Sequence, residues 1–189
     1  MKQLDMDKTL NIITPKPDLV LVALNPTEEA IKNQSVFSRD NGFWNVLIES
    51  GLINDLVKEI PLKDRAKEVF LHQKHCNLKL GFADLLPLVT ETNSKKVKVK
   101  KGAAREFLIN TPNISGSKKI ALLGEKVVNA FVRDFPNLRQ WASIKIDSDN
   151  KFGKMGIITI ESNCIEIFAM PFPINNSIPE KHKIYRSLL

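Results

Sequence analysis

The sequence has little that would indicate an extracellular or membrane protein. It contains two cysteines, Cys76 and Cys164, in 189 residues, which excludes a framework of several disulfides. No apolar run approaches the ~20 residues that a membrane-spanning helix needs. The start of the chain, MKQLDMDKTL, lacks the apolar core of a signal peptide. We therefore expect a cytoplasmic protein that does not contact a membrane.

Histidine and cysteine are also too sparse to predict a metal centre. His72, His75 and Cys76 form one H-x-x-H-C cluster, but no second pair of ligands follows at a spacing typical of zinc sites. Cys164 stands alone. A helix end followed by a turn explains the cluster better than a metal does, and we expect neither a metal nor another cofactor.

Acidic residues are in deficit, with 21 Asp and Glu against 28 Lys and Arg, so that the net charge is +7 and the pI is near 9.4. This balance favours a polyanionic partner such as DNA, although many basic proteins bind no nucleic acid. The length suits one sizeable core. We expect a monomer with a single domain over residues 1–189, in which residues 1–17 form an N-terminal extension.

The clearest structural signal is the apolar run 19–24, LVLVAL, which does not alternate and therefore predicts a strand buried on both faces. Asn25 and Pro26 follow directly, at the end of the strand where open α/β sheets bind ligands. Apolar patterns elsewhere predict a single three-layer α/β domain with a central, mainly parallel sheet. We predict further strands at 78–86, 118–123, 157–160 and 165–168, and helices at 28–33, 41–50, 64–72, 125–134 and 179–188.

The order strand, L-N-P-T, then V-F-S-R-D-N-G-F-W-N-V-L, which covers residues 24–47, resembles the first motif of the uracil-DNA glycosylase superfamily. The similarity is greatest to its mismatch-specific uracil/thymine branch, whose pattern is roughly G-I-N-P-G, then P-F, then N-R-F-W. An Asn-Pro pair alone is common in turns. The combination of Asn-Pro, Phe37 and Phe43-Trp44 at these spacings is what carries the resemblance.

This resemblance implies an enzyme that flips a base out of DNA and hydrolyses its glycosidic bond. Asn25 would orient the attacking water through its amide oxygen, and Phe37 would be the platform for the base. Backbone N–H groups near Leu24 and Phe37 would donate to the carbonyl oxygens of the base. Because a neutral amide is not a strong base, we expect a dissociative mechanism. We predict a base pocket formed by Leu24, Pro26, Phe37 and Phe172.

A basic segment, residues 93–105, follows the second predicted strand. Its six positive charges fall within eleven residues, at Lys95, Lys96, Lys98, Lys100, Lys101 and Arg105. We predict that it contacts DNA phosphates and is mobile without DNA, in preference to the alternative of a solvated loop that only keeps the protein soluble.

A second motif, roughly P-N-P-S-G-L-S in the mismatch branch, corresponds here to residues 171–177, PFPINNS. The two prolines and the final serine match. Phe172 replaces a polar residue, Ile174 replaces Ser, and the pair Asn175-Asn176 replaces Gly and an apolar wedge. We assign base contact to Phe172, with core packing as the alternative. We assign DNA contact to Pro173, Ile174, Asn175, Asn176 and Ser177.

We therefore expect a monofunctional DNA glycosylase that removes uracil, thymine or a modified pyrimidine and leaves an abasic site. Its role would be base-excision repair or defence against phage DNA with modified cytosines. One alternative is a relative that binds nucleic acid but has lost catalysis. Another is an enzyme acting on free nucleosides, which the basic segment disfavours.

Overall fold

The computed structural model describes residues 10–39, 41–141, 152–160, 162–174 and 180–189, with the backbone alone at 139–141. A five-stranded sheet forms its middle layer, in the order β2-β1-β3-β5-β4. All neighbouring strands are parallel except β4, which pairs antiparallel with β5 at one edge. The strands are β1 (Leu19–Ala23), β2 (Leu80–Asp84), β3 (Lys119–Leu123), β4 (Gly153–Ile160) and β5 (Asn163–Met170).

Helices cover both faces of this sheet. They are α1 (Glu28–Asn33), α2 (Asn41–Ser50), α3 (Leu62–Ala66), α4 (Ala103–Asn110), α5 (Glu125–Asp134) and α6 (Lys181–Arg186). A π-helical turn, Lys67–Leu71, continues α3, and short 3-10 segments lie at Asp55–Glu59, Ser94–Lys96, Ile114–Gly116 and Pro136–Trp141. Among the described helices, none has the length and apolar content needed to cross a membrane.

The side chains of β1 alternate between two separate apolar cores. Leu19, Leu21 and Ala23 pack with α2, α3 and α6, and Val20 and Val22 pack with α4 and α5. Every side chain of β1 is therefore buried, with at most 6% exposure. Burial on both faces explains why the run of residues does not alternate. The predicted class, a three-layer α/β domain with a mainly parallel sheet, is confirmed.

Most predicted elements are confirmed with small shifts of their ends. The helix 125–134 has the predicted bounds, and the last two predicted strands correspond to β4 and β5, which pair antiparallel. Gly51 ends α2 with a positive φ of 82° and donates to the Ile48 carbonyl, as expected of a C-terminal glycine. In the N-terminal extension, Ile12 forms an antiparallel bridge with Phe82.

Asn41 takes part in a tertiary contact rather than capping α2. It is the first residue of α2, and its Oδ1 accepts a hydrogen bond of 3.0 Å from the Arg65 guanidinium. Arg65 is buried and also donates to the carbonyls of Lys58 and Ile60. The side-chain oxygen of Asn41 thus ties α2 to the segment around α3, a tertiary partner that lies too far along the chain for a local pattern to predict.

Candidate active site

A cavity of about 710 Å³ opens at the carboxyl ends of β1 and β3. In the sheet, β2 and β3 lie on opposite sides of β1, so the order of the strands reverses at β1. The carboxyl end of β1 is therefore the topological switch point, where open α/β sheets bind ligands. Its lining includes Asn25, Phe37, Asp84, Glu91, Gly124 and Phe172. The structure thus brings the predicted catalytic residue and all four predicted base-pocket residues, Leu24, Pro26, Phe37 and Phe172, to one cavity.

Asn25 is held in one orientation at the rim of this cavity. Its Nδ2 donates to the Pro26 carbonyl at 2.9 Å and to the Glu91 carbonyl at 2.8 Å. Both amide hydrogens are therefore used, and within the described residues Oδ1 accepts no hydrogen bond. A side chain held in this way presents its oxygen to a ligand or to water without a further loss of rotamer entropy.

Local structure around the Asn-Pro pair supports this arrangement. Thr27 caps α1 by accepting the Ala30 N–H at 3.1 Å, which fixes the chain just beyond Pro26. The Leu24 carbonyl accepts the Leu86 N–H at 2.9 Å, so that the strand end is tied to the end of β2. Although Leu24 lines the cavity, its side chain belongs to the core beneath α4 and α5. A contact between Leu24 and a base would therefore come from its backbone.

Phe37 is held by aromatic neighbours. Its ring stacks on Phe43 with 3.8 Å between centroids and an angle of 8°, and it meets the edge of Phe82 at 5.7 Å. The backbone has a φ of 52°, an uncommon value for a bulky residue, and the Trp44 indole donates to the Phe37 carbonyl at 3.2 Å. Within the described residues the Phe37 N–H donates to no protein group. One ring face is covered by Phe43, and the partly exposed ring lines the cavity, where a planar ligand can contact it.

Phe172 lies beside this platform and also packs on the core. Its ring centroid is 6.3 Å from that of Phe37, and it contacts the apolar cluster on the α2 side of the sheet. A Cβ at Gly124, which has a φ of 89°, would lie 3.6 Å from the Cβ of Phe172. The two interpretations of Phe172 are therefore compatible, because the ring lines the cavity and packs on the core.

The described part of the second motif is fixed by α6. The Tyr185 hydroxyl, which is buried, donates to the Pro171 carbonyl at 2.7 Å, and Lys181 donates to the carbonyl of Pro173. Pro173 is itself buried, whereas Ile174 is exposed and lines the cavity. Asn175, Asn176 and Ser177 lie outside the described residues.

Asp84 is a candidate residue that the sequence analysis missed. It ends β2, pairs in register with Ala23 of β1, and lines the cavity with only 2% of its surface exposed. Its Oδ2 is buried and, within the described residues, has no hydrogen-bond partner. Burial raises the pKa of this carboxyl to about 7. The available signal was the alternation Leu80, Phe82, Asp84, which puts the carboxyl on the face of the sheet that carries the cavity.

The basic segment borders the cavity, and its backbone is anchored, in contrast to the expected mobility. Lys126 of α5 donates to the carbonyls of Ser94 and Val97 at 2.5 and 2.9 Å. Arg133 donates to the Val99 carbonyl at 3.0 Å. The valines of this segment turn inward, and five exposed lysines turn outward, namely Lys95, Lys96, Lys98, Lys100 and Lys101.

Arg105 has a structural role that the other basic residues lack. Its guanidinium donates to the Asp134 carbonyl at 2.7 and 3.1 Å and lies 4.9 Å from the centre of the Phe135 ring. The Asp134 carboxylate accepts the N–H groups of Gly102 and Ala104, which lowers its pKa despite burial. Arg105 therefore joins α4 to the end of α5, and two of its five N–H donors have the Asp134 carbonyl as their acceptor.

The H-x-x-H-C cluster has the features of a helix end and turn. His72 follows the π-helical turn, His75 has a φ of 62°, and the Cys76 thiol donates to backbone carbonyls. Burial raises the pKa of Cys76 to about 12, which disfavours the thiolate that metals bind. Across the described ranges, no group of three or more His, Cys, Asp or Glu side chains is placed to hold a metal ion.

Comparison with models of known protein families and with curated proteins finds no match to this chain. The fold and the cavity define an α/β domain with an open cavity at its switch point.

Proposed function

We propose that this protein is a monofunctional DNA glycosylase that hydrolyses the bond between a flipped pyrimidine and its deoxyribose. The observation that carries the proposal is the pairing, in one cavity, of a fixed asparagine amide with a preformed aromatic platform. The motif resemblance and the net charge of +7 support it independently.

The cavity is large enough to hold a nucleobase and offers it an aromatic contact. Its volume of about 710 Å³ is within the usual range of ~300–1,000 Å³ for small-molecule sites. The Phe37 ring can contact a planar ligand, and its N–H, which has no acceptor among the described residues, is a donor for a carbonyl oxygen of that ligand. Stacking on an aromatic side chain contributes roughly 1–3 kcal/mol per base.

The reaction follows from what the Asn25 amide can and cannot do. Its Oδ1 can accept a hydrogen bond from water and direct the water at C1′, but a neutral amide cannot remove the proton before the bond to the base has weakened. In the proposed mechanism the C1′–N bond breaks first and its electron pair leaves with the base. Water then attacks the cationic sugar, loses a proton to solvent, and leaves an abasic site.

The five outward lysines would bind the DNA backbone beside the cavity. Because the carbonyls of their segment are held by Lys126 and Arg133, the charges are already positioned before DNA arrives. The Glu91 carbonyl, which precedes this segment, also fixes Asn25. Phosphate contact and the orientation of the proposed catalytic amide thus depend on one stretch of backbone.

A strand-cleavage assay tests the proposal. End-labelled oligonucleotides would carry uracil opposite guanine, uracil opposite adenine, uracil in a single strand, thymine opposite guanine, or hydroxymethylated or glucosylated cytosine. After incubation with the protein, alkali cleaves the strand at any abasic site. We expect cleavage at one or more of these bases. If none is cleaved but the DNA is still bound with a steep salt dependence, the protein is a binding relative without catalysis.

A further inference from the structure

The carboxyl group of Asp84 is the one acidic side chain at the base of the cavity that nothing in the described part of the fold uses. A buried carboxyl normally accepts hydrogen bonds or pairs with a cation. Here Oδ2 is buried without a partner among the described residues, and the backbone N–H of Asp84 is taken by the Asn11 Oδ1 at 2.9 Å. A group that the protein leaves unsatisfied in a cavity is a candidate to act on the ligand.

Asp84 lies deeper in the cavity than Asn25. Asp84 is 2% exposed, whereas Asn25 is only partly buried and lies at the rim. Phe82, two residues before Asp84 on the same face of β2, lies nearly perpendicular to the Phe37 ring with 5.7 Å between the centroids. Phe37, Asp84 and Asn25 line one cavity, so a base that stacked on Phe37 with its sugar at the rim beside Asn25 would have Asp84 at the buried end of the site.

We propose that Asp84 is the general acid of this site, and that it donates a proton to the departing base. This inference rests on the proposed glycosylase function and deepens it. As the C1′–N bond breaks, its electron pair moves to the base, and the proton of the Asp84 carboxyl passes to an oxygen or nitrogen atom of the base. The base leaves neutral, and Asp84 is re-protonated from solvent after water has lost its own proton to solvent.

The surroundings of Asp84 keep the proton available. Ala23, which pairs with Asp84 in register, and Phe82, two residues before it on the same face of β2, are apolar, and Asn11, which accepts its N–H, is neutral. The charged residues that line the same cavity are Glu29, Arg39, Glu91, Glu125 and Lys126. Arg39 pairs with Glu29, and Lys126 bonds to backbone carbonyls, so within the described residues no cation pairs with Asp84. Burial alone raises its pKa to about 7, near the value at which an acid transfers protons well at neutral pH.

The test compares a poor and a good leaving group in wild-type protein and in the Asp84→Asn variant. Uracil and 5-fluorouracil, each opposite guanine, differ in how readily they leave as anions, so 5-fluorouracil needs a proton less. Single-turnover excision would be measured between about pH 5.5 and 9. For the wild type we expect uracil release to fall up to tenfold per pH unit above about 7, because the acid form is depleted.

In Asp84→Asn we expect uracil release to drop by ~10²-fold or more and to lose this pH dependence, because the amide keeps the shape but donates no proton. Release of 5-fluorouracil should drop less than about tenfold. Asp18→Asn, a matched change at the opposite edge of the sheet, where Asp18 pairs with Lys118, should leave both profiles unchanged. Circular dichroism would verify that the variants fold.

Two results overturn the assignment of Asp84. One is an equal loss for both leaving groups in Asp84→Asn, and the other is a flat pH profile for uracil in the wild type, which needs no variant. If the wild type releases no base of the wider oligonucleotide panel at any pH, the glycosylase function itself is wrong and the assignment of Asp84 is wrong with it. If it releases another base of that panel but neither of these two, the pH profile of that base takes the place of the uracil profile, and a flat profile overturns the assignment.

Discussion

The two polar side chains at the carboxyl edge of the sheet, Asn25 after β1 and Asp84 at the end of β2, are held in opposite ways. Asn25 donates both amide hydrogens to backbone carbonyls, whereas the Oδ2 of Asp84 has no partner among the described residues. The amide is therefore fixed in direction but cannot transfer a proton. The carboxyl can transfer a proton but is positioned only by packing and by the register of β2. We infer that orientation and proton transfer are divided between adjacent strands.

The largest effect that separates the two groups should appear in the pH dependence of stability. The pKa of Asp84 rises from an ordinary 3.8 to about 7 on folding. Below about pH 4 the carboxyl is protonated in both states and its burial carries no penalty. Between about pH 4 and pH 7 the Asp84 carboxyl ionises only in the unfolded state, so the free energy of unfolding falls as pH rises. By linkage the total loss is about 4 kcal/mol above pH 7.

Urea unfolding of wild type and Asp84→Asn at about pH 5 and pH 8 measures this loss, because contributions from other groups cancel in the difference. The free energy of unfolding of the variant minus that of the wild type should increase by roughly 3 kcal/mol from pH 5 to pH 8. An unchanged difference would mean that the carboxyl ionises in the folded protein as it does in water.

Asn25 should show its effect in catalysis rather than in stability. We expect Asn25→Ala to lower single-turnover excision by ~10²-fold or more, the usual loss for a positioned catalytic group, while DNA affinity stays within a factor of about three. Asn110→Ala, an exposed asparagine at the end of α4, is the matched control and should excise at the wild-type rate. Wild-type excision by Asn25→Ala would refute the assigned mechanism.

The contrast between Asn25 and Asp84 also explains what could be predicted from the sequence. Asn25 follows a run of residues so apolar that its position at a strand end is evident from the sequence alone. The importance of Asp84 depends on β2 lying beside β1 and on the N-terminal segment, where Ile12 pairs with Phe82, covering the strand. Both features depend on tertiary contacts between distant parts of the chain, which a local sequence pattern does not predict. The same holds for the bond from Arg65 to Asn41 and for the contacts of Lys126 with the basic segment.

The basic segment should contribute to binding without affecting the chemical step. Replacing Lys95, Lys96, Lys98, Lys100 and Lys101 with Gln should weaken binding to all DNA sequences, by roughly tenfold or more at physiological salt. The slope of log affinity against log salt should fall by up to about one unit for each DNA phosphate that the variant no longer neutralises. Fluorescence anisotropy over a salt series measures both quantities. An unchanged slope would identify the segment as a solvated loop.

The smallest effect that we predict concerns the partner base of the excised nucleotide. The second motif has Asn175-Asn176 where the mismatch branch has Gly and an apolar wedge, and short amides fill a vacated base stack less well than an apolar side chain. Phe172 also adds apolar bulk beside Phe37, which would either contact an extra substituent on the pyrimidine or close the pocket to it. We therefore expect the excision rate of uracil opposite guanine to exceed that of uracil opposite adenine by less than about tenfold, which is less than 1.4 kcal/mol of discrimination.

Excision rates measured in parallel for single-stranded uracil and for hydroxymethylated and glucosylated cytosine separate recognition of the partner base from preference for the excised base. Fast release of uracil alone, and only opposite guanine, would show that the altered motif still recognises the partner base as the mismatch branch does.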